Sequence, residues 1–518
     1  MFARRDFIAL AGAALALRAH AQGAPASSLT YGQSVGVLTL DPVHGSYTLY
    51  PAGSEAALCL YDGLLTFAPD MTIVPQLAES WAMADDLKSC TLKLRAGARF
   101  HDGTPVDAAA VKFNIERLMD RQRNPTNRPL WDPVAGVETP DAATVVLHLS
   151  QPFAQLPNSL AHVSGALVSP AAVAKLGEDG IAKNPVGAGP YRMASFDPGQ
   201  QLVLEAFDGY WGGRPKTVKL ILKTIADPST RVAALRTGAA DVIDSVPVAL
   251  VGGLKDDPHV EIIHVPGLRP IGFVINLTRP PLADLRVRQA LNLAIPVETI
   301  ASKVFFGYAR APDSPLAFNT EGYARVSRLV YDPGKAKALL EAAGFGPEKP
   351  LELAMFVSQG LFPSDVSVGE VVANALAQVG VKVAITKIEA GSYWDAMRQD
   401  RANIKWDIAM FGFNPANASG LYHLASLFKS NKDDAARPDV WNLGRYRNPE
   451  VDRLLEAAGT EADRKQAAAD LAKAQAIIWN DAPYIWLQIN ENVSAVKRPV
   501  SGVEVWPILF TNVRHAAA

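Results

Sequence analysis

Apolar and polar positions alternate with a period of two in several short runs of this chain. CTLKLRAG (90–97), ATVVLHLS (143–150), QLVLEAF (201–207) and TVKLILKTI (217–225) each predict a strand with one buried face. Other runs have helical spacing. In VDAAAVKFNIERLM, Asp107 is placed to cap, and Val111, Ile115, Leu118 and Met119 share one face. In YDPGKAKALLEAAGFG, Asp332 suits the N-cap, Pro333 the first helical position and Gly344 a left-handed stop. VGEVVANALAQVG then leads through Gly380 into the strand VKVAITKI. Strands and helices alternate almost throughout, which predicts an α/β fold.

Two strand-like runs are longer than the rest. IIHVPGLRPIGFVINLT (262–278) reads as a strand, a Pro-Gly break and another strand, and APYIWLQINENVSAV (482–496) is its counterpart near the C-terminus. Two such crossings suit two lobes, with the chain entering the second lobe through one strand and returning through the other. No short repeat or low-complexity linker marks the boundaries.

The N-terminus reads as a targeting segment. MFARRDFIALAGAALALRAHAQ has Arg4 and Arg5, an apolar run from Phe7 to Leu17, and Ala19-His20-Ala21 as a cleavage site. Residues 1–21 are therefore expected to be a signal peptide, with a paired arginine resembling a twin-arginine signal. No Cys lies near the cleavage point, so no lipid anchor is evident, and a soluble periplasmic product is expected. The chain has 518 residues, enough for two or three sizeable cores, with 49% hydrophobic and 20% charged residues. A formal net charge of −2 offers no attraction for nucleic acid. Cys59 and Cys90 are the two cysteines, either a disulfide in an oxidising compartment or two buried thiols.

Catalytic and metal motifs do not assemble. Gly32-Gln33-Ser34-Val35-Gly36 matches G-x-S-x-G, but an extended run ended by Pro42 follows where a nucleophile elbow needs a helix. A secreted hydrolase using Ser34 is the alternative from another functional class. Gly187-Ala188-Gly189 lacks the third glycine of a dinucleotide loop and reads as a tight turn. The nine His form no H-E-x-x-H pair, and His259 and His264 read as surface residues. No cofactor and no directly bound metal are expected.

PQLAESWAMADDLKSCTLKLRAGARFHDGTPVDAAAVKFNIERL (75–118) resembles the signature region of extracytoplasmic solute-binding proteins of the peptide/nickel class of ABC importers. NPVGAGPYRMASFDPGQQLVLEAFDGYWGGRP (184–215), DPSTRVAALRTGAADVI (227–243), INLTRPPLADLRVRQALNLAI (275–295), YDPGKAKALLEAAG and APYIWLQ match further segments in the family's order. The resemblance implies a type II periplasmic-binding-protein fold with ligand enclosed between lobes. Lobe I would comprise 22–268 plus 488–518, with an inserted subdomain over roughly 60–185, and lobe II would comprise 269–487. Tyr210 and Trp211 of the Y-W-G segment are expected to plug a core. A small-molecule ligand, an ABC permease and its ATPase subunits are the implied partners, and the protein is expected to be a monomer.

The resemblance also places candidate contacts. In the peptide-binding branches, the segment matching FGFNPANASG (411–420) reads G-W-x-x-D, and its Asp grips the peptide α-ammonium. Here Gly412-Phe413 falls on G-W and Ala416 on the acid, and no acid occurs from 411 to 420. Gln359 lies where the dipeptide branch has an Arg for the α-carboxylate. Phe413, Asn414 and Asn417 of the loop remain as polar and aromatic contacts. DPVHGSYTLYP (41–51) falls on a ligand-lining loop, which nominates His44, Tyr47 and Tyr50. RPLW falls where the nickel branch has an Arg and a Trp, so Arg128 is expected to meet a carboxylate and Trp131 to stack on the ligand. Arg269, by the inferred hinge, is the last candidate. The expected ligand is neutral or anionic: a modified peptide, an opine-like or glutathione-like compound, a metal chelate or a small saccharide. Ordinary dipeptides are disfavoured, and a chaperone-like peptide binder is a further alternative.

Overall fold

A computed structural model describes residues 27–43, 51–120, 127–438 and 441–517. The signal segment, His44, Tyr47 and Tyr50 lie outside the described residues. The alternating runs form strands Ser89–Leu94, Thr144–Leu149, Gln201–Ala206 and Lys219–Thr224. The helical runs form Ala108–Met119 and Pro333–Ala342. Asp107 caps the first by accepting the Ala110 N–H at 2.9 Å, and Asp332 caps the second by accepting the Lys335 N–H at 2.8 Å. Gly344 adopts φ 86°, the left-handed conformation that stops the second helix.

Among the described residues, one 11-stranded sheet runs through the whole molecule. At its centre two long strands, Val260–Ile275 and Tyr484–Lys497, pair antiparallel. On one side lie Ile408–Gly412, Leu351–Gln359 and Val381–Glu389. On the other lie Val242–Ile243, Ser28–Gln33, Lys219–Thr224, Gln201–Ala206 and Tyr191–Asp197. The two long strands are therefore shared by two lobes and connect them.

Each half buries its own core. Phe273, Met355, Trp406 and Ile408 belong to the second lobe's, and Leu29, Tyr31, Leu204 and Leu220 to the first lobe's. A four-stranded antiparallel sheet, built from Ala78–Met83, Ser89–Leu94, Val134–Asp141 and Thr144–Leu149, carries a third core around Phe100, Val111 and Trp131. Cys59 and Cys90 are buried free thiols in separate cores.

Tyr210 and Trp211 are half-buried, and Trp211 packs against the edge of the third core. Their polar atoms also cover an internal ion pair: Trp211 Nε1 donates to Asp62 Oδ2 at 2.6 Å. Arg514, paired with Asp62 at 2.8 Å, also donates to the Tyr210 hydroxyl at 2.7 Å. A buried pair of opposite charges needs such closing hydrogen bonds to offset its desolvation.

Candidate ligand-binding site

The two connecting strands do not pair evenly. Pro266 pairs with Glu491 and Pro270 with Ile489, so the first strand advances four residues against two on its partner. Gly267, Leu268 and Arg269 therefore bulge out of the ladder, and the Leu268 N–H donates instead to the Pro507 carbonyl at 3.0 Å. Proline at 266 and 270 supplies no N–H to the ladder, which is why the break falls there. Such a bulge bends the strand and re-aims its side chains.

Arg269 is the side chain so re-aimed. It is partly buried, and its guanidinium lies over the Phe362 ring at 5.3 Å. Gly412 makes room for it. A Cβ at 412 would lie 2.8 Å from Ile271 and 3.3 Å from the Arg269 stem. Among the described residues Arg269 has neither a hydrogen bond nor an ion pair. Burial pulls its guanidinium down to about 10, with no anion to pull it back. Beside the bulge, Gln488 is 1% exposed, and its Oε1 is sealed from solvent without a partner. Asn490 Oδ1 and Asn319 Oδ1 are likewise unpaired, although Asn319 Nδ2 donates to the Pro266 carbonyl at 2.9 Å. Buried amide oxygens without protein partners are costly and rare.

The loop 411–420 faces this hinge and reaches across to the other lobe. It leaves strand Ile408–Gly412, and Ser419 caps the helix Gly420–Phe428. Three contacts hold it to the first lobe. Gln155 Nε2 donates to Ser419 Oγ at 2.7 Å, Asn158 Nδ2 to the Asn417 carbonyl at 3.0 Å, and Asn414 Nδ2 to the Ile508 carbonyl at 2.9 Å. Ala418 packs into the core of the four-stranded sheet. Asn414 Oδ1 and Asn417 Nδ2 remain buried and unpaired. Phe413 joins an aromatic wall with Tyr422, His423 and Trp441, which continues through Trp394 to Phe362. Phe413, Asn414, Asn417 and Arg269 thus flank one interlobe region.

The remaining candidates fall elsewhere or are otherwise engaged. Gln359 is exposed at the end of strand Leu351–Gln359. Arg128 pairs with Asp132 at 2.7 Å. Trp131 corrects an expectation: it is 1% exposed, packed against Gly165, and its Nε1 donates to Ser164 Oγ at 3.3 Å. With no face free in this conformation, it is a core residue and not a stacking platform. Ser34 sits in no strand–elbow–helix turn; its hydroxyl donates to Asp244, which pairs with Arg231. Among the described residues no group of three or more His, Cys, Asp or Glu is placed to hold a metal ion.

Comparison with known proteins decides the family. Residues 72–435 match the bacterial extracellular solute-binding proteins, family 5. The chain belongs to this family. It is a solute-binding component of an ABC importer and not an enzyme. Among its family 5 relatives, the glutathione-binding protein GsiB of Pectobacterium atrosepticum is 32% identical over 477 residues, covering 90% of both chains. GsiB of Escherichia coli O157:H7 is 32% identical over 473 residues, again 90% of each. Among solved family structures, MoaA of A. tumefaciens R10, in complex with mannopinic acid, is 26% identical with a TM-score of 0.80, covering 95% of this chain and 99% of that one. NikZ of Campylobacter jejuni, with Ni(L-His), superposes at a TM-score of 0.81 and 23% identity over 96% and 100% of the chains, a likeness of fold. Among the described residues no helix is long and apolar enough to cross a membrane.

Proposed function

We propose that this family 5 protein captures a small carboxylate-bearing solute between its lobes by hinge closure and hands it to its permease, as a periplasmic monomer. The lobes divide at Leu268/Arg269 and Leu487/Gln488. The observation that carries the reading is the loop 411–420, which bridges the lobes by three hydrogen bonds yet keeps Asn414 Oδ1 and Asn417 Nδ2 unpaired beside the hinge. Closure removes water, so each group left there counts heavily.

The ligand class follows from charge. An ordinary dipeptide carries its ammonium and carboxylate at opposite ends, and the ammonium needs a counter-charge. The loop offers Ala416 and no acid. Glutathione and opine-type acids carry their amine on the same carbon as a carboxylate, which supplies that counter-charge internally. The GsiB and MoaA likenesses favour this class. Calorimetric titration of the mature chain tests it. Glutathione should bind one to one. Ordinary dipeptides should bind weaker by at least about 2 kcal/mol, roughly thirtyfold. Dipeptides binding as tightly as glutathione would overturn the assignment.

A further inference from the structure

We infer that Arg269, thrust out of the hinge bulge, is the receptor for a carboxylate of the bound solute. The inference rests on the proposed function and names the group that site recognises. Arg269 is partly buried, where a paired anion would offset the water its guanidinium has lost. Arg269 has no carboxylate or carbonyl partner among the described residues, only the face of Phe362. The nearby acids are already used. Asp365, the first residue of the helix Asp365–Gln378, accepts from the Ser358 hydroxyl and the N–H groups of Gly360 and Leu361 at 2.8–3.0 Å. Glu491 on the partner strand is engaged by His264. Among the described residues no carboxylate pairs with Arg269.

The surroundings fit a ligand better than a structural role. Gln488 pairs through the backbone with Ile271, two residues beyond Arg269, and its side chain also lacks a partner while 1% exposed. An unpaired arginine fork and an unpaired amide on the two hinge strands can together take two oxygens and an N–H of one acid. Gly412 holds the passage for the arginine stem open. Because Arg269 lies in the bulge between the lobes, its neutralisation stabilises the closed arrangement directly. Binding and closure are then coupled through one charge.

The test uses two probes on the full mature chain, acetate and glutathione, with Arg269→Met and Arg269→Lys beside wild type. Acetate should raise the melting temperature of wild type more than acetamide, its neutral isostere, at matched ionic strength. Arg269→Met should lose that difference. Without any ligand Arg269→Met should melt at or above wild type, since it removes an unpaired, partly buried charge and keeps the stem volume. Arg269→Met should bind glutathione weaker by about tenfold or more, and Arg269→Lys should recover part of the loss without the two-pronged geometry. If acetate and acetamide act alike on wild type, or if Arg269→Met melts well below it, the inference fails whatever the ligand proves to be. If acetate discriminates but glutathione does not bind, the arginine site stands and the glutathione-like class falls.

Discussion

His162 shows how one buried ring imposes a pH dependence. Its Nδ1 accepts the Ser164 N–H at 3.1 Å, which requires the neutral ring, and burial lowers it from an ordinary 6.5 to about 4. His101 and His423 are lowered by burial in the same direction. A folded value below the unfolded one means that stability is present above about 6.5 and is lost as pH falls toward 4. In His162→Asn the amide oxygen can still accept the Ser164 N–H, and the titrating group is gone. Its melting temperature should fall less steeply than wild type between about pH 7 and about pH 4.5. Parallel curves for the two proteins would show that His162 carries none of the effect. At this scale residue type alone misleads. Trp131 in RPLW reads equally as a ligand platform or as a core plug, and only its packing on Gly165 and the Ser164 bond separates them.

At the scale of elements, the strands and capped helices were legible because each is set by its own residues. The alternation in CTLKLRAG, the cap at Asp107 and the stop at Gly344 are local, and they form as their patterns require. The Pro-Gly break in HVPGLRP was legible for the same reason, since proline cannot serve the ladder. The partners of the loop 411–420 were not. Gln155, Asn158 and Ile508 are hundreds of residues or nearly a hundred residues away, and no local pattern names them. Gln488 has a sequence signal of its own: it is a lone amide inside the apolar run YIWLQI, where burial without a partner is costly. The clasp gives an element-scale prediction. The double variant Gln155→Ala with Asn158→Ala removes two interlobe hydrogen bonds, each contributing about 0.5–1.5 kcal/mol to the closed state. Glutathione should then bind the double variant roughly 5- to 150-fold more weakly, with an unchanged melting temperature for the unliganded protein. An unchanged affinity in calorimetry would mean that the loop does not act as a clasp.

At the scale of the whole molecule, one sheet passes through two lobes by only two strands, and both are irregular at the crossing. The two lobes keep separate cores on either side of it. Gln488, Asn414 and Asn417 each keep one buried polar atom unpaired, and Arg269 meets only the face of Phe362 among the described residues. The most direct test of this account is small-angle X-ray scattering from the mature protein with and without saturating glutathione. The account predicts a smaller radius of gyration when glutathione is bound, as the lobes close over it. A radius unchanged at saturation, with binding verified in the same sample, would contradict it.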